Sequence, residues 1–597
     1  MNRFSRTYLT VILMLAGTVV AGSGKPVPSQ AEAIRQKEKP APSQKETIES
    51  YETLVQRIMR ENMIAGAGAA LILDDRVVWK KGFGFSDREN KIPYTTRTAQ
   101  PIGSVTKPIT ALGLMRLQEQ GLLDIDRPLV EVLPAFRIHT RGVDIRRITV
   151  RSLITHTSGL PNDIFLNATR PDEKYTGLLS YLRDETLAFP PGTVYHYSNV
   201  GIGVLGHVIL AVGKQDYPAY MQRHIFQAVG MSHTGFIEYD RLEDVGLSYD
   251  GEGKPVKTPR IRAIPAGGLY SSVDDMTALA RELIAIYHGK KGGILKPETV
   301  REIFREQDDS AKISFHREGL AWSIFKNESG FIVFHFGSDN INWACFMIHP
   351  ERKAALVVLS NSAGGKVLTD ALSEQFRDAL GFKELDWIVT HTENPRKNEI
   401  IPLTPEMIQA HSGTYGHVNR VFDAVAAGGK LMLKYGKTTL ELKPVSPDEF
   451  IPYKLDDTGK AQSLDSFRVI FERVGDYQVL FWETEARQRE ALGYKLPPQT
   501  ITDSWKRRLG KYQIQGYQND GPETFSEAEL SLFEDRLLQL KIFYTSGTYV
   551  YNLRIENDHE LVTCGFDEVS SGDTLRFRQE GKDILITYYG LTLRKKT

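Results

Sequence analysis

The sequence predicts an α+β chain in which one antiparallel sheet, flanked by helices and carrying a helical subdomain, is followed by two small antiparallel β-barrels. Three observations lead there. Strand-like segments occur at Ala65 to Lys81 and again between residues 318 and 359, with helical patterns in the interval. Strands at both ends of a region with helices between them build one sheet with helices packed on it. After Asn394-Pro-Arg-Lys the chain turns into short alternating segments with closely spaced turn signals, and these segments occur twice.

Taken in order, Asn2-Arg-Phe-Ser-Arg6 is a basic stretch and Tyr8 to Val20 a short apolar core, with small residues at Ala21, Gly22 and Ser23. That is the form of a secretory signal peptide over 1–23, with Ala31-Glu-Ala33 as a second small-x-small site, and it predicts a periplasmic or secreted protein. An uncleaved anchor is the alternative, disfavoured because the core is shorter than the ~20 apolar residues of a membrane span. Residues 24–46, rich in Lys, Pro, Gln and Glu, read as a disordered linker.

A first domain is expected over 47–390. Gly66 to Leu73 and Arg76 to Trp79 are strands joined by a turn at Asp74-Asp75, helical patterns cluster from 104 to 230, and further strands fall at 318–325, 331–336, 343–348 and 354–359 before a helix at 366–380. The tail divides at the polar joint near Pro497-Pro498 into barrels over 400–497 and 500–597. Gly413-Thr-Tyr415 matches Gly510-Lys-Tyr512, and Leu431-Met-Leu-Lys434 matches Leu538-Gln-Leu-Lys541. Pro447-Asp-Glu-Phe450 matches Asp558-His-Glu-Leu561, and Phe467 to Phe471 matches Leu575-Arg-Phe577. One larger sandwich is the alternative to two barrels.

Composition narrows the function classes. Lys plus Arg equals Asp plus Glu at 74 each, so no net field points to nucleic acid or an anionic membrane surface. Cys345 and Cys564 supply neither a disulfide framework nor a metal spacing and are expected to be free and buried. No His-Glu-x-x-His and no Gly-x-Ser-x-Gly occurs, so a metal hydrolase and an α/β-hydrolase are both unsupported, and no cofactor is indicated.

Three short elements carry chemistry. Ser104-Val-Thr-Lys107, followed by Pro108 and a helical stripe of Ile109, Leu112, Met115 and Leu117 up to Gly121, puts a hydroxyl and an amine on one face at a helix start. A serine hydroxyl becomes a nucleophile when a neighbouring amine takes its proton. Ser323-Ile-Phe-Lys326 has the same spelling but lies in a strand, where the two side chains point to opposite faces. Tyr195-His-Tyr197-Ser-Asn199 is the second element: Tyr197 is a base if Lys107 lowers its pKa, and Asn199 hydrogen-bonds the lysine and a substrate amide. Otherwise Tyr197 merely packs and Asn199 caps a helix; Tyr517-Gln-Asn519 shows how common the tripeptide is. The third is the strand end Phe331-Ile-Val-Phe-His335-Phe-Gly337-Ser338. There Gly337 lets a substrate lie close, and the Ser338 amide joins that of Ser104 in an oxyanion hole. Ser338-Asp-Asn340 is read as coincidence, and a lone His335 is also compatible with a structural role.

In this order, and with Pro101-Ile-Gly-Ser, Gly121-Leu-Leu-Asp, Ile148 to Pro161 and Ala266-Gly-Gly-Leu-Tyr-Ser-Ser beside them, the elements resemble the serine β-lactamase and penicillin-binding-protein superfamily in its class C and esterase-like branch, over about residues 50–385. The resemblance implies a β-lactamase/transpeptidase-like fold and an acyl-serine enzyme. Ser104 would be the nucleophile, Lys107 and Tyr197 the proton-handling pair, and Asn199 and His335 would line the site.

Where true β-lactamases have Lys-Thr-Gly, this chain has His335-Phe336-Gly337, which removes a permanent cation and a hydroxyl. Antibiotic hydrolysis is therefore disfavoured, and the motif resembles those of esterases and D-aminopeptidases of the branch. Two terminal barrels also resemble the D-aminopeptidase layout, in which a barrel loop reaches the cleft. The expected function is an exported serine hydrolase acting on small peptides, amides (D-amino-acid-containing ones included) or esters. A small-molecule or peptide substrate is its partner, without nucleic acid and without a stable membrane anchor after signal cleavage. The alternatives are an inactive binding or scaffold protein of the same fold, or a β-lactamase.

Overall fold

The computed structural model describes residues 43–596 except 165–172, 259, 308–312, 314–315, 384–385, 387, 389–397, 456–458, 516–524, 546 and 567–570. The signal segment and Tyr517-Gln-Asn519 lie outside the described residues. Helix α1 (Gln44–Glu61) opens on a reciprocal cap between Ser43 and Glu46, so helix begins inside the stretch expected to be linker up to 46.

The sheet is made of β1 (Gly66–Leu73), β2 (Arg76–Asp87), β3 (Ile92–Pro93), β4 (Ser323–Asn327), β5 (Gly330–Ser338), β6 (Trp343–His349) and β7 (Ala354–Ser360). Their order is β3-β2-β1-β7-β6-β5-β4, antiparallel throughout. The chain leaves after its N-terminal hairpin, builds the helical layer and returns to complete the sheet. Asp74 and Asp75 both take positive φ, 50° and 64°, the conformation of a tight two-residue hairpin turn.

Alternation along the strands separates two apolar layers. Ala69 and Leu71 of β1, Leu356 and Val358 of β7 and Ile332 and Phe334 of β5 pack with Tyr51 and Val55 of α1 and with Leu368, Leu372 and Phe376 of α5 (Gly365–Leu380). Their neighbours Ala70, Ile72, Val357 and Val333 face the helical subdomain, with Val273, Met276 and Leu283 of α4 (Val273–Tyr287). A sheet covered on both faces accounts for uninterrupted apolar runs such as Gly66 to Leu73. In the subdomain, α2 (Thr106–Glu119) is buried from Thr106 to Met115 rather than along one stripe, because it runs through the middle of the helical layer. Helix α3 (Asn199–Gly213) packs against it.

Both tail domains are eight-stranded antiparallel barrels. The first closes through the pairing of Thr438–Pro444 with Glu449–Leu455, and the second runs from Gly510–Gln515 to Leu591–Lys595. The four matched segment pairs fall on the first, third, fifth and sixth barrel strands of each copy. Each barrel is also preceded by a short helix capped by threonine, Thr404 or Thr502. In each the first-strand tyrosine reaches back to that helix: Tyr415 OH donates to the His411 carbonyl at 2.9 Å and Tyr512 OH to that of Arg508 at 2.6 Å. Each barrel has its own core, around Phe450 and Trp482 in the first and Trp505 and Phe577 in the second. Both cysteines are free and buried. Among the described residues no helix is long and apolar enough to cross a membrane.

Candidate active site

Ser104 sits in a single 3-10 turn, Gly103–Val105, at the entrance to α2. Two glycines press that turn against the end of β5. Gly103 has φ +50°, and a Cβ on it would lie 2.4 Å from the Ser338 nitrogen; a Cβ on Gly337 would lie 1.9 Å from the Ile102 carbonyl oxygen and 2.9 Å from the Val105 nitrogen. Both contacts are with backbone, so no side-chain movement relieves them. The arrangement brings the backbones of residues 103–105 and 337–338 together, where sequence reasoning expected an oxyanion hole.

Lys107 Nζ donates to Ser104 Oγ at 2.8 Å and to the Ala266 carbonyl at 2.8 Å, and Tyr197 OH donates to the same Ser104 oxygen at 2.8 Å. The ammonium also lies 4.7 Å from the centre of the Tyr197 ring. Lys107 is fully buried. Burial pulls its pKa down to about 7 against the opposing field of Asp163. At that value half of the amine carries a lone pair at neutral pH, and the Ser104 contact then runs from hydroxyl to amine.

Tyr197 is held from three sides. Asn162 Nδ2 donates to its carbonyl at 2.8 Å, the Ser198 nitrogen donates to His156 Nδ1 at 3.0 Å, and the His156 ring lies 4.5 Å from the Tyr197 ring at 30°. His156 has positive φ, 57°, and burial together with Lys107 drives its pKa well below the usual imidazole range. Ser198, not Asn199, caps α3 through the Gly201 nitrogen at 2.8 Å, which removes the capping alternative for Asn199. The Asn199 amide turns instead to Asp163: Nδ2 donates to Oδ2 at 3.0 Å, and the Ile164 nitrogen donates to Oδ1 at 2.9 Å. The expected hydrogen bond from Asn199 to the lysine is replaced by this one.

His335 lies on the sheet face that carries Val333 and Gly337, towards α2, and is half-buried. Burial first, then Lys107, lowers its pKa to about 3, so the imidazole is neutral across the physiological range. Nδ1 lies 2.6 Å from the Phe336 carbonyl. Phe336 points the other way: it packs in the layer of α1 and α5, 5.7 Å from Phe334. The reading of Phe336 as a lost hydroxyl in the site is corrected by this parity.

The look-alikes are structural. Ser323 Oγ donates to Glu318 at 2.8 Å, and Lys326 pairs with Glu306 at 2.8 Å. Ser338, Asp339 and Asn340 form a turn in which Ser338 Oγ accepts the Asn340 nitrogen at 2.8 Å and Asp339 accepts those of Ile341 and Asn342. Sequence reasoning missed His156, Asn162, Asp163 and Ala266 as members of the site. His156 and Ala266 lie inside stretches noted as resembling the family, whereas nothing local marks Asp163.

Both barrels meet the far side of the Tyr197 segment. Phe189, Val194 and Ile313 share an apolar cluster with Val479, Tyr494, Cys564 and Phe566. Phe566 lies 5.8 Å from Phe189, whose other edge meets His196 at 5.3 Å. Arg141 Nη2 donates to Thr574 Oγ1 at 2.5 Å, and Arg576 bonds the Asp184 carbonyl and Thr186 Oγ1.

Three comparisons place this geometry among known proteins. Protein flp of Staphylococcus aureus (strain MW2) is 24% identical over 321 residues, 52% of this chain and 62% of flp; the chain thus spans less than two thirds of that relative. PbpX of Bacillus subtilis (strain 168) is 29% identical over 272 residues, 43% of this chain and 67% of that protein. The crystal structure of SurE with D-Leu has a TM-score of 0.52 at 23% identity and covers 74% of this chain and 99% of SurE, a likeness of fold. Residues 52–380, more than half of the chain, match the family model described as Beta-lactamase, and this chain belongs to the β-lactamase family.

Proposed function

We propose that the chain is a serine hydrolase that works through an acyl-serine on Ser104. The observation that carries this reading is one hydroxyl oxygen held at 2.8 Å by both Lys107 and Tyr197, with the lysine pKa drawn down to about 7. In the proposed reaction the neutral amine takes the Ser104 proton as Oγ bonds to the substrate carbonyl carbon. The developing oxyanion is received by the backbone amides of Ser104 and Ser338 at the joint made by Gly103 and Gly337. The proton returns through Lys107 and Tyr197 to the leaving amine or alkoxide as its bond breaks. Water, deprotonated by the same pair, then bonds to the acyl carbon, the bond to Ser104 Oγ breaks as the proton returns to Oγ, and the acid leaves. Asn199 and His335 line the cleft, and Gly337 admits the substrate backbone.

The substrates we propose are small peptides, amides or esters rather than β-lactams, because His335 is uncharged where the Lys-Thr-Gly motif supplies a cation. D-configured residues belong to the same proposal, supported by the fold likeness to SurE, which was crystallised with D-Leu. The basic and apolar segment at residues 2–20 supports export. A fluorophosphonate probe is expected to label wild-type protein at Ser104 and to leave Ser104→Ala unlabelled. Equal labelling of both proteins refutes the assignment.

A further inference from the structure

The two barrels repeat one another, so each is a control for the other, and one corner of the second departs from the first in a single direction. His411 ends the short helix before the first barrel and Arg508 the one before the second, and each accepts the hydroxyl of its own strand tyrosine. Last-strand lysines keep the same register: Lys495 donates to the Ala410 carbonyl at 2.9 Å and Lys595 to that of Arg507. Across the corner, the Phe471 nitrogen donates to the Asp448 carbonyl at 2.9 Å and the Phe577 nitrogen to that of His559 at 2.7 Å. Residue for residue, Ala410 corresponds to Arg507, His411 to Arg508, Asp448 to His559 and Glu472 to Arg578. Carboxylates are lost and guanidiniums gained, and no change goes the other way.

In the first copy the side chains satisfy one another. His411 Nε2 lies 2.9 Å from the Pro447 carbonyl and 3.4 Å from Asp448, its ring stacks on Phe471 at 4.3 Å, and Gln478 reaches over it to the Ala410 carbonyl at 3.3 Å. In the second copy Arg508 keeps the equivalent carbonyl, that of Asp558, and keeps the stack, 4.3 Å over Trp505 and 5.2 Å over Phe577. Ile584 stands in the place of Gln478, by the same hairpin register, and cannot make its hydrogen bonds. A cavity of about 120 Å³ lies there, lined by Arg507, Arg508, His559, Arg578 and Ile584 and by no carboxylate. Among the described residues Arg507 has no ion pair, and the pair of Arg578 with Glu580, 3.2 Å, is exposed on both sides and therefore weak. Burial pulls the Arg508 pKa below the usual guanidinium range; Tyr512 and Asp558 oppose this, and the charge of Arg507 adds to it. A guanidinium nevertheless keeps its proton, so an anion is what relieves the crowding.

We propose that this corner of the second barrel is a binding pocket for a phosphate-sized oxyanion, with the guanidiniums of Arg507, Arg508 and Arg578 as its donors. The pocket uses none of the residues around Ser104 and stands independently of the acyl-serine reading. Each guanidinium offers flat forks of N–H donors that match a tetrahedral oxyanion. The stack on Trp505 and Phe577 holds Arg508 in place beforehand, so little freedom is lost on binding. A cavity of this size admits one such group, and an organic body attached to it lies outside, along the exposed rim of Arg507, His559 and Arg578.

The test is calorimetric titration of the full chain with inorganic phosphate and, separately, glycerol phosphate, with chloride holding the ionic strength constant. Saturable binding with Kd of about 1 mM or below is expected, the affinity of roughly two charge-assisted hydrogen bonds. Arg507→Ala combined with Arg578→Glu, which gives two exposed positions the first barrel's residues, should weaken it by at least about tenfold. Should that double variant fail to fold, Arg507→Ala alone is expected to lose about fivefold. Tighter binding of glycerol phosphate means that the group arrives on an organic body, and equal or tighter binding of inorganic phosphate means a free ion; both support the pocket. No saturable heat below about 10 mM, or variants that bind as wild type does, overturns the proposal. Fluorophosphonate labelling of Ser104 locates the anion: phosphate should leave its rate within about twofold, and protection of Ser104 at the same Kd would place the anion in the cleft and overturn the assignment.

Discussion

Acidifying the protein tests the buried lysine directly. Burial moves Lys107 from an ordinary 10.5 to about 7, which raises the share of free amine at pH 7 from roughly one in three thousand to about one half. If that amine takes the Ser104 proton, kcat/KM on an N-acyl ester, a substrate with no titrating group of its own, must rise about tenfold per pH unit up to about 7 and then level. At pH 5 it should stand near one hundredth of the plateau. An unperturbed imidazole at His335 would add a limb of its own between about pH 5.5 and 7.5. With that ring's pKa at about 3, His335→Gln should leave the limb in place and change only its height. Constant-ionic-strength profiles from pH 4.5 to 9 for wild type and His335→Gln decide. A midpoint above 9, or a limb that disappears with His335, refutes the reasoning.

The same lysine should cost stability. Its folded pKa lies below the unfolded one, so its contribution is favourable only at high pH and is lost as pH falls from 10.5 towards 7. Relative to wild type, Lys107→Met is expected to gain up to about 5 kcal/mol across that window in urea unfolding, and parallel curves would contradict the burial argument. Gly337→Ala places a Cβ 1.9 Å from the Ile102 oxygen; Ser104 labelling should slow by more than tenfold, with about 1–3 kcal/mol lost from overpacking, and unchanged labelling would show that the turn has room to move. Penicillins and cephalosporins should be turned over at least a hundredfold less efficiently than short esters, which a chromogenic cephalosporin measures against a p-nitrophenyl ester. Phe566→Ala should cost about 3–5 kcal/mol, read by thermal or urea unfolding, and should weaken activity through the Phe189 and His196 contacts although it lies in a barrel. A loss below 1 kcal/mol would mean that the barrels only rest on the domain.

Most of the fold was legible because strand and helix patterns are local. The repeat in the tail is visible because equivalent barrel positions keep equivalent residues, down to the tyrosine that bonds back to its own helix. Ser104 and Lys107 were legible because three residues span one helical turn. Phe336 was legible in principle: its parity is that of Ile332 and Phe334, which sends it to the layer behind the sheet, and reading the tripeptide as a unit hid this. Asp163 was not legible, since its meaning arises only when the loop after Pro161 folds against Asn199, a contact with no signal in either segment alone.

The barrels change meaning for the same reason. Each has a separate core, and were the barrels independent modules, a cut near residue 390 would leave a folded domain with an opened cleft. The cluster of Phe189, Val194 and Ile313 with Phe566 and Tyr494 is built from four distant stretches of chain, and removing the tail leaves its catalytic-domain half in water. Phe189 precedes Tyr197 by one short loop, and the Phe189 carbonyl fits over Gly159, where a Cβ would lie 1.9 Å away. A fragment ending near 390 should therefore expose apolar surface and lose the alignment of Tyr197 on Ser104, rather than gain larger substrates. Gel filtration and fluorophosphonate labelling of that fragment distinguish the outcomes: a monomer labelled at the full-length rate would show that the catalytic domain positions Tyr197 without help.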